Sequence, residues 1–190
     1  MIKYNICFVR RDQQILLLNR EKASWMGCWN GVGGKLEPGE QPRQSMIREL
    51  REETGLIAEQ LLFKGLMTWT LDGERFGGMY VYLAEFPVDF HYAVPVKTTE
   101  GILDWKELSW ITHPENRGVA ANLPGTLPTV LEDAGCYQHH FNYVQSRLQS
   151  SASMAINPAI ETDALRREAF LRTLEAETVA RQVIGQPANR

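Results

Sequence analysis

The sequence predicts an α/β protein in which a mixed β-sheet is sandwiched by helices, with one more helix appended at the C-terminus. Four observations carry this. Strand-like runs recur through residues 3–145, a helix-forming segment falls between the third and fourth of them, and another helix precedes a late strand. After residue 150 the chain becomes rich in Ala, Leu, Glu and Arg, a helical composition.

Residues 4–9 and 15–18 read as strands around a polar turn, Arg11-Asp12-Gln13-Gln14. Residues 21–26 form a loop, and 29–32 are a short extended piece entering a run of glycines. Pro38-Gly39 marks a turn, and Pro42 suits a first helical turn, where its missing N–H has no partner to lose. The helix runs over 42–54 and stops at Gly55, which takes the left-handed conformation after a helix end without steric cost. Residues 61–71 and 79–86 are the next strands, with Asp72-Gly73 and Gly77-Gly78 punctuating their connection. A further short strand lies within 103–111, and a helix is expected over 128–134. Residues 137–144 alternate and are aromatic-rich, as a late strand would be. Ser150-Ser151-Ala152-Ser153 reads as a linker. Asn157-Pro158 then pairs an N-cap with a proline at the first helical position, opening a helix that reaches Ile184-Gly185. Its apolar residues, Ile160, Leu165, Phe170, Leu171, Leu174, Val179 and Val183, form an imperfect stripe. The expected organisation is one domain over 1–148, with 149–190 as linker and helical extension.

The 190 residues suffice for one domain with a real core. A net charge of −3 gives no broad basic surface for a nucleic-acid polymer. No apolar run is long enough to span a membrane, and no signal pattern precedes the first strand, so a cytoplasmic setting is expected. Cys7, Cys28 and Cys136 are odd in number and lack a Cys-x-x-Cys pair, which argues against a disulfide framework or a structural zinc site. His139 and His140 are neighbours on a strand, so they face opposite ways and do not readily share one ion.

The chemistry concentrates in Gly34-Lys-Leu-Glu-Pro-Gly-Glu40 and Arg48-Glu49-Leu50-Arg51-Glu52-Glu53-Thr54-Gly55-Leu56. Glu49, Glu52 and Glu53 stand at i, i+3, i+4 and share one helix face. Like charges so placed cost a few tenths of a kcal/mol, roughly, and a hard divalent cation would reverse the sign. A solvated acidic face is the plain alternative.

Read from Gly34, this spacing resembles the Nudix box of the MutT/Nudix hydrolases at every defined position. The resemblance implies a Nudix α/β/α sandwich over residues 3–145, with the C-terminal helix outside that core. It implies Mg²⁺ as cofactor, with Mn²⁺ as a substitute. Glu52 and Glu53 are the implied metal ligands, with Glu49 as a ligand or a base for water and the Gly33 carbonyl as a further ligand. Arg48 is the implied orienting arginine, together with Glu40. Glu100 matches a loop carboxylate in the oxidised-purine triphosphatases of the family, with Trp105 five residues on; the alternative is a solvated glutamate. Arg20 and Lys35 either reach phosphate or are plain surface charges.

Substrate choice must come from outside the box. Trp29-Asn30-Gly31-Val32-Gly33-Gly34-Lys35 resembles the mammalian-type oxidised-purine triphosphatases, in which the Asn reads the base. Trp69 falls where those members stack an aromatic ring, or else is core. Met79 reads as core more readily than as pocket lining. Ala121-Asn122-Leu123-Pro124 is similar to the base-reading stretch of bacterial members, or else Asn122 is a helix N-cap. The Trp-Pro-Asp-Asp segment of the mammalian type has no counterpart between Trp110 and Asn122, which favours a guanine-type base over an adenine-type one.

The resemblance thus implies a nucleoside triphosphate pyrophosphohydrolase attacking the β-phosphorus, with 8-oxo-dGTP as leading substrate and sanitising of the nucleotide pool as its role. Two alternatives stand beside it. One is hydrolysis of another nucleoside diphosphate derivative, such as a nucleotide sugar, a dinucleoside polyphosphate or a normal dNTP. The other is a non-catalytic sensor or interaction module. The C-terminal helix either docks on a second copy to form a homodimer or packs on its own domain.

Overall fold

The computed structural model describes residues 2–185, with side chains only to residue 176. The expected helix residues Val179 and Val183 therefore lie outside the described side chains. In chain order the elements are β1 (Tyr4–Arg11), β2 (Gln14–Arg20), β3 (Trp29–Asn30), α1 (Pro42–Thr54), β4 (Leu61–Leu71), β5 (Arg75–Phe86), β6 (Val96–Lys97), β7 (Gly101–Glu107), α2 (Leu108–Ile111), α3 (Leu123–Glu132), β8 (Tyr137–Val144) and β9 (Arg147–Ala155). A 3₁₀ turn (Pro158–Glu161) and α4 (Ala164–Gly185) close the chain.

One nine-stranded sheet organises the molecule, in the order β6-β7-β2-β1-β5-β4-β8-β9, with β3 paired to β2. β1 runs parallel to β5 and β4 parallel to β8, while the other pairs are antiparallel, so the sheet is mixed. Strand periodicity of two sends alternate residues to two cores. In β2, Leu16 and Leu18 join a cluster with Met46, Leu50, Tyr82 and Leu103 beneath α1. Ile15 and Leu17 join Phe8, Val81, Leu123 and Leu127 beneath α3. The result is the expected α/β/α sandwich.

Four local readings need correction. Ser150–Ser153 is no linker but the middle of β9, antiparallel to β8. Almost every β9 residue is exposed, so the strand carries no hydrophobic alternation to announce it. Gly77-Gly78 lies inside β5, not in the turn before it. α3 begins at Leu123 and carries Pro128 within it, so the proline does not start the helix. Asn157 does accept a bond from the Ala159 N–H at 2.9 Å, but it caps only the 3₁₀ turn, and α4 starts at Ala164.

The C-terminal segment packs on its own domain rather than outside the core. Ile160, Leu171 and Leu174 are buried in the α1-side cluster, and Phe170 packs against it. Leu165 points away and is 80% exposed. Arg43 of α1 clasps Glu161 at 2.8 Å and donates to the Leu61 carbonyl at 2.7 Å, so the turn is tied to the helix that carries the acidic face.

Truncating a buried leucine removes its transfer free energy and leaves a cavity. Leu171→Ala is therefore expected to lower unfolding stability by about 2–3 kcal/mol in urea titrations. An unchanged midpoint would show that α4 is not part of the cooperative core.

Candidate active site

α1 is set by its ends and its buried stripe. Gln44 accepts from the Gln41 N–H at the start, and Gly55 adopts φ 74° at the end, with its N–H on the Arg51 carbonyl. Met46 and Leu50 face the sheet and are fully buried. Glu49, Glu52 and Glu53 then fall on the flank of the helix, where all three line a cavity of about 900 Å³.

Arg48 holds this acidic face together. Its Nε and Nη2 donate to the two carboxylate oxygens of Glu40 at 2.9 Å each, a bidentate pair. Nη1 donates to Glu49 at 2.9 Å and to Glu52 at 3.0 Å. The guanidinium holds the Glu40 carboxyl down at about 2, well below the usual carboxylate range. Burial pushes Glu49 the other way, against the pull of Arg48. Glu52 is the outermost of the set, its side chain 60% exposed.

Glu53 points inward and accepts the Gly33 N–H at 2.8 Å. Burial pushes its carboxyl up to about 7; the Gly33 bond offsets part of that, and the neighbouring Glu49 charge adds to it. The glycine run is fixed by Asn5 of β1, whose Oδ1 accepts from the Gly34 N–H at 3.1 Å while its amide donates to Ser45 of α1 at 2.7 Å. Gly34 lies directly against the Glu49 carboxylate, and any side chain there would occupy the carboxylate's place.

The other end of the cavity is aromatic. Trp69, Trp25, Phe141 and Tyr143 line it, with Leu71 and Met79. Trp25 meets Tyr143 edge-on, with ring centroids 6.1 Å apart. Gly77, across the strand pair from Trp69, leaves the space that the indole fills. Asn30 and Asn122 are both 8% exposed and line this end. The Asn30 Oδ1 accepts the Gly31 N–H at 2.9 Å. Asn122 occupies the N-cap position of α3 but makes no side-chain capping bond. Its amide instead lies 3.6 Å from the Met67 sulfur, a weak acceptor, and its buried Oδ1 has no partner.

The structure thus brings Arg20, Asn30, Gly33, Lys35, Glu49, Glu52, Glu53, Trp69, Glu100 and Asn122 to one cavity. Arg48 stands behind it as the brace. Glu100 is engaged by Lys22 at 2.5 Å and by Arg20 at 4.0 Å. Trp105 is core, with the Arg11 guanidinium 4.3 Å above its ring. His139 bonds Ser153 on β9, whereas His140 bonds Thr68 on β4. Sequence reasoning missed Asn5, Trp25, Phe141 and Tyr143; the aromatic run in 137–144 was the available signal for the last two.

Among the described residues, no three His, Cys, Asp or Glu side chains are grouped closely enough to hold a metal ion by themselves. Mg²⁺ does not demand such a group, since it keeps several waters and takes one or two carboxylates plus substrate phosphates. The donor set fits such an ion. Glu49 and Glu53 are carboxyls whose charged forms burial disfavours, and a nearby hard cation would restore them.

The NUDIX domain family profile matches residues 3–131. An uncharacterized Nudix hydrolase of Bacillus subtilis is 33% identical over 109 residues, 56% of this chain and 66% of that one. The CTP pyrophosphohydrolase of Escherichia coli is 46% identical over 59 residues, 30% of this chain and 44% of that one. The mouse oxidized purine nucleoside triphosphate hydrolase is 31% identical over 108 residues, 57% of this chain and 67% of that one. The matches span two thirds or less of the lengths of the first two of these relatives. Among solved structures, the MutT protein of Bacillus halodurans superposes with a TM-score of 0.66 at 24% identity, covering 80% of this chain and 97% of that one.

The raised Glu53 carboxyl makes a pH prediction for the cation-free protein. Between about 4.5 and about 7 the folded state binds more protons than the unfolded one, so this group's contribution is present below the lower value and lost as pH rises through the upper. Glu53→Gln removes that dependence and keeps an acceptor for the Gly33 N–H. The variant is expected to gain stability relative to the parent as pH rises across that window, measured by urea unfolding. Parallel pH profiles for the two proteins would contradict the buried carboxyl.

Proposed function

The chain belongs to the NUDIX domain family, and on that premise we propose that it is a Mg²⁺-dependent nucleoside triphosphate pyrophosphohydrolase that prefers an oxidised guanine nucleotide, 8-oxo-dGTP above all. The charged end of the cavity supports the chemistry. When bound, the metal supplies charge neutralisation at the phosphates and a water of lowered pKa. Glu49, Glu52 and Glu53 are the side chains that would hold it, with Gly33 and Glu100 lining the same cavity. Arg48 keeps Glu49 and Glu52 in place, so the acidic face is set before substrate arrives. Arg20 and Lys35 line the same end and offer positive charge to phosphate oxygens.

The observation that carries the base assignment is the unpaired, buried Oδ1 of Asn122. With the NH₂ of Asn30 it presents one acceptor and one donor inside an aromatic slot. An 8-oxoguanine edge carries the complement, the O6 acceptor beside an N7–H donor. Unmodified guanine offers two acceptors there, O6 and N7, and would leave the Asn122 oxygen without a donor. Burying that unpaired group costs ~1–3 kcal/mol, or about 5- to 150-fold in selectivity. Trp69 would hold the ring by stacking, at about 1–3 kcal/mol.

A second reading comes from the same pair. The O6 and N1–H of ordinary guanine also present an acceptor beside a donor, so a normal guanine nucleotide can satisfy both asparagines if it enters by its other edge. We place the activity in the nucleotide pool of the cytoplasm, where the three free cysteines suit a reducing medium.

A hydrolysis panel with Mg²⁺, comparing 8-oxo-dGTP, dGTP, dATP, dCTP and ADP-ribose by kcat/KM, tests the substrate. Preference for 8-oxo-dGTP with release of monophosphate and pyrophosphate is expected, and preference for dGTP selects the second reading. Glu53→Gln should lower kcat by at least ~100-fold on every substrate with the fold intact. Asn122→Leu should reduce the ratio of 8-oxo-dGTP to dGTP turnover by about tenfold, the size of one unpaired polar group. An unchanged ratio would make Asn122 structural.

A further inference from the structure

Outside the cavity, a closed ring of contacts runs through a half-buried lysine that the chemistry does not use. Lys106 of β7 places its ammonium 4.1 Å from the Trp29 ring centroid and 5.8 Å from that of Trp110. Asp104 holds the same ammonium at 2.7 Å. Trp29 is also clamped by its backbone. Its N–H donates to the Gly118 carbonyl at 2.8 Å, and its carbonyl accepts from the Ala120 N–H at 3.0 Å. Gly118 in turn donates to the Asn116 Oδ1 at 2.8 Å, and the Asn116 amide donates to the Trp110 carbonyl at 2.8 Å. The path Lys106–Trp29–Gly118–Asn116–Trp110 therefore returns to Lys106.

The ring's position gives it meaning. Asn30 immediately follows Trp29, and Asn122 lies two residues beyond Ala120. The two asparagines lie far apart in sequence, and the Trp29–Val119 bridge ties their backbones together. A cation over an indole face is attracted by the ring's negative face, and here one ammonium faces two of them.

We propose that Lys106 is a positioning residue for base selection: held between Trp29 and Trp110, it fixes the separation of Asn30 and Asn122 and so the edge that the pocket accepts. Lys106 is not among the residues that line the cavity, so it would act through Trp29 rather than by contact with a base. This rests on the reading of Asn30 and Asn122 as the base-contacting pair. A lysine that served only stability would lower the unfolding midpoint and leave the order of nucleotide affinities alone.

The test is calorimetric binding of 8-oxo-dGMP, dGMP, dAMP and dCMP to the full chain, with selectivity taken as the Kd ratio between the two nucleotides that the parent separates most widely. Lys106→Met keeps the length of the side chain and removes the cation. It is expected to shrink the ratio by about 3- to 10-fold, whereas Lys106→Arg, whose guanidinium also stacks on indole, is expected to retain it. If Lys106→Met does not fold, Lys106→Gln gives the same readout. A parental ratio in the uncharged variant, or an equal loss in Lys106→Arg, overturns the proposal. A parent that binds 8-oxo-dGMP and dGMP equally overturns the oxidised-base reading, while the ratio on its widest pair still decides the role of Lys106.

Discussion

The pairing of one guanidinium with three carboxylates is the interaction on which the rest depends. Without Arg48, the carboxylates Glu40, Glu49 and Glu52 would repel one another across the start and flank of α1. Charge-assisted, partly bidentate bonds reverse that repulsion and give each carboxylate a fixed direction. The Gly33–Lys35 strip benefits as well, since the Lys35 carbonyl accepts from the same guanidinium and Glu53 accepts from Gly33. Strip and helix are thereby locked together before any ligand arrives. The Glu53 carboxyl stays raised by burial even though the Gly33 N–H and the Arg20 charge act to lower it.

The cavity divides its labour by element. Its charged end comes from α1 and the glycine strip, a contiguous stretch. Its aromatic end is assembled from the loop before β3, from β4, from the start of α3 and from β8. β4 and β8 lie side by side and parallel, so Trp69 and Phe141 are register partners. The Asp72 N–H donates to the Tyr143 carbonyl at 2.8 Å, and the Asp72 Oδ1 accepts from the Gln145 N–H at 2.7 Å. These bonds join two hairpin turns and hold Tyr143 where Trp25 can meet it.

What was legible in the sequence was local. The bounds of α1, β4 and β8 followed from periodicity, Pro42 and Gly55, and the acidic face followed from helical spacing. Residues whose meaning depends on distant partners were harder to read. Asn5 is a plain strand residue until Ser45 and Gly34 are brought to it. Trp25 sits in a loop whose composition does not foretell Tyr143, more than a hundred residues away. Asn122 could be read two ways, because a helix N-cap and a ligand-facing amide share one sequence signature; the structure shows the N-cap position without its side-chain capping bond. β9 was hidden for a different reason, since a strand with little to bury has no apolar pattern to display.

That same strand has a consequence for how the protein behaves in concentrated solution. Among the described residues β9 ends the sheet, with β8 as its one strand partner, and so offers a row of backbone donors and acceptors to a neighbouring chain. Its central residues are Gln149, Ser150, Ser151, Ala152 and Ser153, which lack the β-branched and aromatic groups that let sheets from separate molecules interdigitate. Arg147 adds a charge at its start. The edge is thus long but poorly adhesive, its composition opposing association between copies where geometry leaves the strand open.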